Sequence, residues 1–370
     1  MRDDVKTLAA FRPPADKKAL DRSRTLNRIS PTARMRMWPS AGLLLCATLA
    51  AAPAHPTNAD WDLFVRRHMG TQGRVIDDGS RGVSHSESQG VAMFLAVHYD
   101  DRPVFDRVWQ WTKKHLQVRD DKLLAWLWSE AQVVADRNNA TDGDLMVAWA
   151  LLRAATRWSE VPYRNDGLGI VQTIAEKLTR RTERGLVLIP GNDGFETPGG
   201  PVLNLSYWVF PALHELEQAN PGSVWPELRE SGHKLLREAR FGRWSLPPDW
   251  LQVGSKLTAA EKFPPRFGYD AVRIPLYLVW SGADGGELQS FKAFWSYFEG
   301  ARFLPAWVNL NDDSVDSHGA LAGIRAVAAV TAAYPDLEKA RLPALDDKDP
   351  YYSAALLLLT KVMLCERVGC

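Results

Sequence analysis

The sequence predicts an all-α fold, about twelve helices in one domain, arranged as a closed ring of helical hairpins whose long loops form an open cleft. Three observations carry this. Apolar residues recur at spacings of three and four through almost all of the chain beyond residue 55, the period of an amphipathic helix. Strand signals are few, the best being the short run RGLVLIP at 184–190. The connecting segments are polar and rich in Gly, Pro, Asn and Asp, and no low-complexity linker divides the region.

In chain order, helical runs are expected at 57–69, 86–98, 103–116, 121–134, 143–158, 166–181, 205–217, 222–239, 270–283, 288–299, 318–333 and 350–366. The second contains Val91, Phe94, Leu95 and His98 at helical spacing. The fifth lies in ATDGDLMVAWALLRAATRW and repeats the pattern with Leu145, Met146, Trp149, Leu152 and Ala155. The last does so with Tyr351, Ala355, Leu358 and Val362. Breaks fall at VIDDGSRG, ADRNNATDGD, LIPGNDGFETPGGP, RWSLPPDW, AEKFPPRFGYD and NLNDDSVDSHG. No strict repeat is present, which disfavours a regular solenoid. An antiparallel helical array satisfies the same periodicity as a ring.

The N-terminus reads differently. Residues 35–54 carry a basic flank (Arg34, Arg36), a short apolar stretch from Ala41 to Ala52, and the small-x-small site Ala52-Pro53-Ala54. That is the pattern of a secretory signal peptide, too short for a membrane span. Residues 1–34 are polar and Arg-rich, either a disordered extension or the product of a start site placed too early. The remaining domain, 55–370, has 35 basic and 40 acidic residues, net −5. It has no basic stripe for nucleic acid, and a neutral substrate fits it better than a polyanion. Export places it in the periplasm or outside the cell. Cys365 and Cys370 remain after cleavage. They either pair across the C-terminal tail or stay free, and by themselves they make no zinc site.

Acids stand at the heads of three apolar runs. Asp142 and Asp144 flank Gly143; Glu87 follows Ser86 in SHSESQGVAMF; Asp270 opens YDAVRIPLYLVW with Arg273 three residues on. Capping chemistry accounts for each singly. Thr141 or Asp142 serves as an N-cap with Asp144 in the first turn. Ser84 caps with Glu87 at the third helical position. Asp270 caps and pairs with Arg273. If the three helix ends share one rim of a ring, the carboxylates converge instead. Paired carboxylates then suit hydrolysis of a glycosidic bond. The 15 Trp fit this reading, since indole faces stack on pyranose rings. Trp126, Trp128, Trp208, Trp244 and Trp250 lie beside polar loops, although core packing accounts for most indoles. Walker, dinucleotide-glycine, HExxH and GxSxG motifs are missing from the sequence.

ATDGDLMVAWALLRAATRW, SESQGVAM and YDAVR resemble the signature segments of glycoside hydrolase family 8. The likeness runs in order from WDLFVRRHMGTQGRVID through LLAWLW and SLPPDW to YYSAALLLL, nearly the whole exported region. Within that family it is strongest to the periplasmic endoglucanases associated with bacterial cellulose synthesis. The resemblance implies an (α/α)6 barrel and an inverting, endo-acting hydrolase of β-1,4-glucan. It implies Glu87 as general acid, Asp270 as general base, and Asp142 as the carboxylate that holds the sugar at the point of cleavage. Trp126, Tyr207, Tyr269, Arg273 and Asp144 are expected to contact substrate. No metal or organic cofactor is expected. A glucan chain is the expected partner, with the cellulose synthase machinery a further one, and the chain is expected to act as a monomer. Departures from the family pattern are Ser88 for its Gly, GVAM for GYGM, NLSYW for its Asn-Pro-Ser-Tyr, Leu127 for an Arg, and Pro275 after Arg273. They bear on substrate preference, so a chitosanase or xylanase is the alternative within the family. A non-catalytic glycan-binding protein is the alternative from another class.

Overall fold

The computed structural model describes residues 58–222 and 224–370, so the expected leader at 35–54 and the segment 1–34 lie outside the described residues. Eleven α-helices are present among them: α1 (Ala59–His68), α2 (Ser86–His98), α3 (Arg102–His115), α4 (Thr141–Trp158), α5 (Val161–Lys177), α6 (Phe210–Ala219), α7 (Val224–Glu238), α8 (Ile274–Ser281), α9 (Gln289–Tyr297), α10 (Ala322–Ala333) and α11 (Tyr351–Val368). Helices α2, α4, α6, α8, α10 and α11 pack in that order, and α11 returns to α2, which closes a ring. Helices α1, α3, α5, α7 and α9 pack outside it, against α11, α2, α4, α6 and α10. A single 3-10 turn, Leu337–Lys339, rests on α10 and α11 where a sixth outer helix would stand. The architecture is an (α/α)6 barrel, the ring rather than the array.

The burial pattern explains the sorting. All but two residues of α2 and every residue of α4 from Thr141 to Leu152 are buried, as helices enclosed on all sides require. Helices α3 and α7 bury one stripe and expose charge on the other. At the barrel centre Phe94 and Trp149 lie 4.2 Å apart between centroids, with Trp280 5.7 and 5.5 Å from them. Arg153 lies over the Phe94 and Trp149 rings and pairs with Glu215 and Glu366, which ties α4 to α6 and α11. At the other end, the Gly323 amide donates to Ser353 Oγ (3.0 Å), joining the first turns of α10 and α11. The α11 head meets the α2 head through the rings of Tyr351 and His85.

One expected helix is absent. Residues 121–134 instead form a buried irregular stretch, Leu123–Ala125, and a hairpin, Leu127–Ser129 with Val133–Asp136. The reason is where the backbone groups find partners. The Leu124 amide donates to Asp144 and the Trp126 amide to the Asn138 carbonyl, while the Trp126 carbonyl accepts from Ser86. These bonds satisfy the segment across the chain rather than along it. Helix α5 starts earlier than expected, with Pro162 in its first turn, and ends at Lys177. There the chain enters Thr179–Thr182, which pairs with the predicted strand Gly185–Leu188. The 205–217 and 270–283 runs begin as 3-10 turns, Leu205–Tyr207 and Ala271–Arg273. The pairs Glu196–Thr197, Gly200–Leu203, Leu251–Val253 and Leu257–Ala259 form a four-stranded sheet in the loops. Cys365 and Cys370 are joined in a disulfide at the end of α11. Among the described residues, no helix is long and apolar enough to cross a membrane.

Candidate active site

None of the three acids is spent on capping. The N-cap of α2 is His85, whose Nδ1 accepts from the Ser88 amide at 3.1 Å while Ser88 Oγ accepts from the His85 amide at 3.2 Å. Ser84 is instead a buried strand residue, and Glu87 is left one position short of the capping box. The N-cap of α4 is Ala140, and Thr141 Oγ1 donates to the Ile189 carbonyl. Asp270 precedes its 3-10 turn without capping it.

The side chains turn to one guanidinium. Arg273 Nη1 donates to Glu87 and to Asp142 Oδ2 (3.1 Å), and its Nη2 to Asp270 Oδ1 (3.0 Å) and Ser206 Oγ (2.9 Å). Heads of α2, α4 and α8 and the turn before α6 thus meet at one rim. Glu87 and Asp270 bond opposite nitrogens of Arg273. Their side chains keep 26% and 28% exposure, whereas Asp142 keeps 5% and forms the floor. Two reachable carboxyls therefore flank a buried one.

Gly143 makes this meeting possible. A Cβ there would stand 2.1 Å from Ser86 Oγ and 2.7 Å from the Glu87 nitrogen, so only glycine lets α4 approach α2 this closely. Asp144 points away from the cleft. It is fully buried, and its two oxygens accept from the Leu124 amide and Asn139 Nδ2, both at 2.8 Å. It props the segment that carries Trp126. Tyr207 lies beneath Arg273, whose Cζ is 5.8 Å from the ring centroid. Tyr269, next to Asp270 in the chain, and Trp126, whose carbonyl accepts from the Ser86 amide, are half-buried.

Burial sets the proton affinities. It pushes Asp142 up to about 6, with the Glu87 charge adding and Arg273 opposing. It pushes Asp270 up to about 7, with the Asp249 charge adding and Arg273 again opposing. Asp144 rises to about 8 from burial, against its amide donors.

Two corrections concern the indoles. Trp208 is a core residue with its Nε1 bonded to the Leu228 carbonyl. Trp250 has both faces covered, by Phe195 and Phe263 in near-parallel stacks. Neither offers a face to a sugar. Ser206 and Asp249 join the site although nothing in the sequence marks them: both lie in loop segments, NLSYW and SLPPDW, and their partners are distant in the chain. Among the described residues, no group of three or more His, Cys, Asp or Glu is placed to hold a metal ion.

A helical barrel whose inner helix heads bring three carboxylates to one open rim is the framework of a glycoside hydrolase. The chain belongs to the glycosyl hydrolases family 8, whose family model matches residues 31–366. It is 39% identical over 313 residues to a probable endoglucanase of Novacetimonas hansenii, covering 83% of this chain and 90% of that one. Its fold is similar to that of the endo-beta-1,4-glucanase CMCax from Acetobacter xylinum (TM-score 0.78, 38% identity, 83% and 97% coverage). It is equally similar to endoglucanase Cel10 from Klebsiella pneumoniae, a family 8 glycosyl hydrolase (TM-score 0.78, 35% identity, 83% and 98% coverage).

Proposed function

We propose that this protein is an inverting endo-β-1,4-glucanase that cuts cellulose chains with Glu87 as general acid, Asp270 as general base and Asp142 holding the sugar at the scissile bond. The observation that carries the reading is the convergence of the three carboxylates on Arg273 from three separate helix heads. Glu87 in its protonated form turns from the guanidinium and donates to the leaving oxygen. Asp270 as carboxylate takes a proton from water, whose oxygen bonds to C1 from the opposite face. Inversion requires the two carboxyls roughly 6.5–9.5 Å apart, with the attacking water between them. A carboxyl raised to about 7 is well matched to accept a proton near neutrality. Trp126 and Tyr269 line the cleft, Tyr207 and Arg273 its floor, and Asp144 acts from behind.

The leader pattern at 35–54 supports export to the periplasm or beyond. The sequence resemblance to endoglucanases associated with bacterial cellulose synthesis supports a role beside cellulose production. Its partner there is a glucan chain, with the cellulose synthase machinery a further one, and the enzyme acts as a monomer.

Reducing-end release from carboxymethylcellulose, chitosan and xylan tests this. Carboxymethylcellulose should be the preferred substrate, and Glu87→Gln should bind it without cutting it. Preference for chitosan or xylan would move the enzyme within its family. Binding without release by the unaltered protein would make it a glycan-binding protein.

A further inference from the structure

Behind Asp270 lies a second buried carboxylate that the reaction does not touch. Asp249 is 3% exposed. Its Oδ1 accepts from the amides of Gly268 and Ala271 at 2.8 and 2.9 Å, and its Oδ2 from Arg266 Nε at 2.9 Å. The Asp249 amide in turn donates to the Arg266 carbonyl at 2.7 Å. The stretch 266–271 is therefore wrapped around one side chain. Gly268 confirms the closeness from the other side. A Cβ there would stand 2.9 Å from both Arg266 Nε and Asp249 Oδ2, so the turn leaves room for the ion pair and nothing more. Arg266 also extends over the Tyr269 ring, 5.4 Å from its centroid. The turn is held outside as well: Phe267 is fully buried, and Arg266 and Phe267 pair with Asn309 and Val308.

We infer that Asp249 is a positioning residue for Asp270: its carboxylate builds the turn that presents Asp270 to the cleft, and its charge sets the field in which Asp270 works. The inference rests on the reading of Asp270 as general base. The groups facing Asp270 are Arg273 from its own turn, Asp249, Asp142 from α4, Asn204 and Tyr207 from the loop before α6, and Tyr352 from α11. Asp249 and Asp142 are negative and oppose its ionisation, while Arg273 favours it. Arg266 neutralises Asp249 in part, so the two members of the pair act on Asp270 with opposite sign.

That opposition provides the test. Asp249→Asn keeps an oxygen for the Gly268 and Ala271 amides and removes the charge. Arg266→Gln keeps the carboxylate and removes its counter-charge. The full-length protein carrying either change is compared with the unaltered one in the pH profile of kcat on carboxymethylcellulose, alongside thermal unfolding. The acidic limb should move to lower pH in Asp249→Asn and to higher pH in Arg266→Gln, with KM changing less than kcat. Profiles that superimpose on the unaltered enzyme, whatever the loss of Tm, would reduce Asp249 to a structural residue and overturn the inference. If Asp249→Asn does not fold, the Arg266→Gln limb decides alone, and a limb that stays in place overturns it. Asp270→Asn separates the two levels. If it retains turnover, the general-base reading fails; if it is inactive while both other profiles stay unmoved, only the inference about Asp249 fails.

Discussion

Replacing Gly143 by Ala tests how the site is assembled. An added methyl at 2.7 Å from the Glu87 nitrogen is far inside the ~3.5–4.0 Å at which carbon contacts are favourable. Ser86 Oγ, at 2.1 Å, can rotate, but the backbone of α2 cannot. The heads of α2 and α4 must therefore part. Overpacking of this kind costs about 1–3 kcal/mol. Alanine in a helix interior returns up to roughly 1 kcal/mol relative to glycine. The net loss is about 0–2.5 kcal/mol, a fall in Tm of several degrees at most for a domain of this size. Catalysis should suffer more, because the separation shifts Glu87 against Asp142 and Asp270. A displacement of about 1 Å among reacting groups costs on the order of 10²-fold. The expected result is a 10- to 100-fold lower kcat (an estimate on the order of that displacement cost) with a Tm lower by several degrees at most. Gly285→Ala is the control, since a Cβ there meets nothing within 4 Å. Gly143→Ala with kcat within about twofold of the unaltered enzyme would refute the argument that close approach of the two heads builds the site.

Further expectations concern charge and the far end of the barrel. Asp142, Asp144 and Asp270 hold protons more tightly folded than unfolded, so each contributes stability at acid pH that is lost as pH rises from about 4 through about 6, 8 and 7 respectively. Asp144→Asn removes the largest of these dependences and sets an amide donor against Asn139. It should be less stable than the unaltered protein at acid pH, and denaturant midpoints should show the gap narrowing as pH rises toward 8. A widening gap would contradict the burial argument. Arg153→Met leaves Glu215 and Glu366 without their shared cation. These groups keep 23–31% exposure, so the loss should be about 1–3 kcal/mol in urea unfolding rather than that of a fully buried pair. Arg153 lies eleven positions along α4 from Asp142, about 16 Å, so kcat should not change.

The helices were legible because their apolar residues recur at helical spacing and the loops between them are polar; the ring was favoured over the array, and the family resemblance implied the (α/α)6 barrel. The one false helix, 121–134, shows the limit of periodicity. Leu123, Leu124 and Trp126 have helical spacing, yet Asp144, Asn138 and Ser86 from distant parts of the chain claim their backbone groups. Periodicity reads only local competition. The candidate acids were visible as charges at helix heads, where capping explains each one cheaply. Nothing in the sequence reveals that His85 and Ala140 hold the cap positions instead. Nor does it separate Asp142 from Asp144. One faces Arg273 and the other Leu124 because successive helical residues diverge by about 100° per position and Gly143 turns the head of α4 onto α2. Arg273 was expected at the cleft, but its bonds to all three acids depend on the meeting of four loops. Asp249 is unmarked in the sequence because its partners are two backbone amides and the Arg266 side chain 17 residues on, which only the fold brings together.

The stereochemistry of the first cleavage tests the central claim most directly. Proton NMR of a cello-oligosaccharide digest, recorded before the new reducing end mutarotates, reports which anomer forms. Glu87 and Asp270 acting as acid and base on opposite sides of the bond predict the α-anomer first. A first-formed β-anomer would mean retention, and the assignment of Asp270 as the activator of water would be wrong.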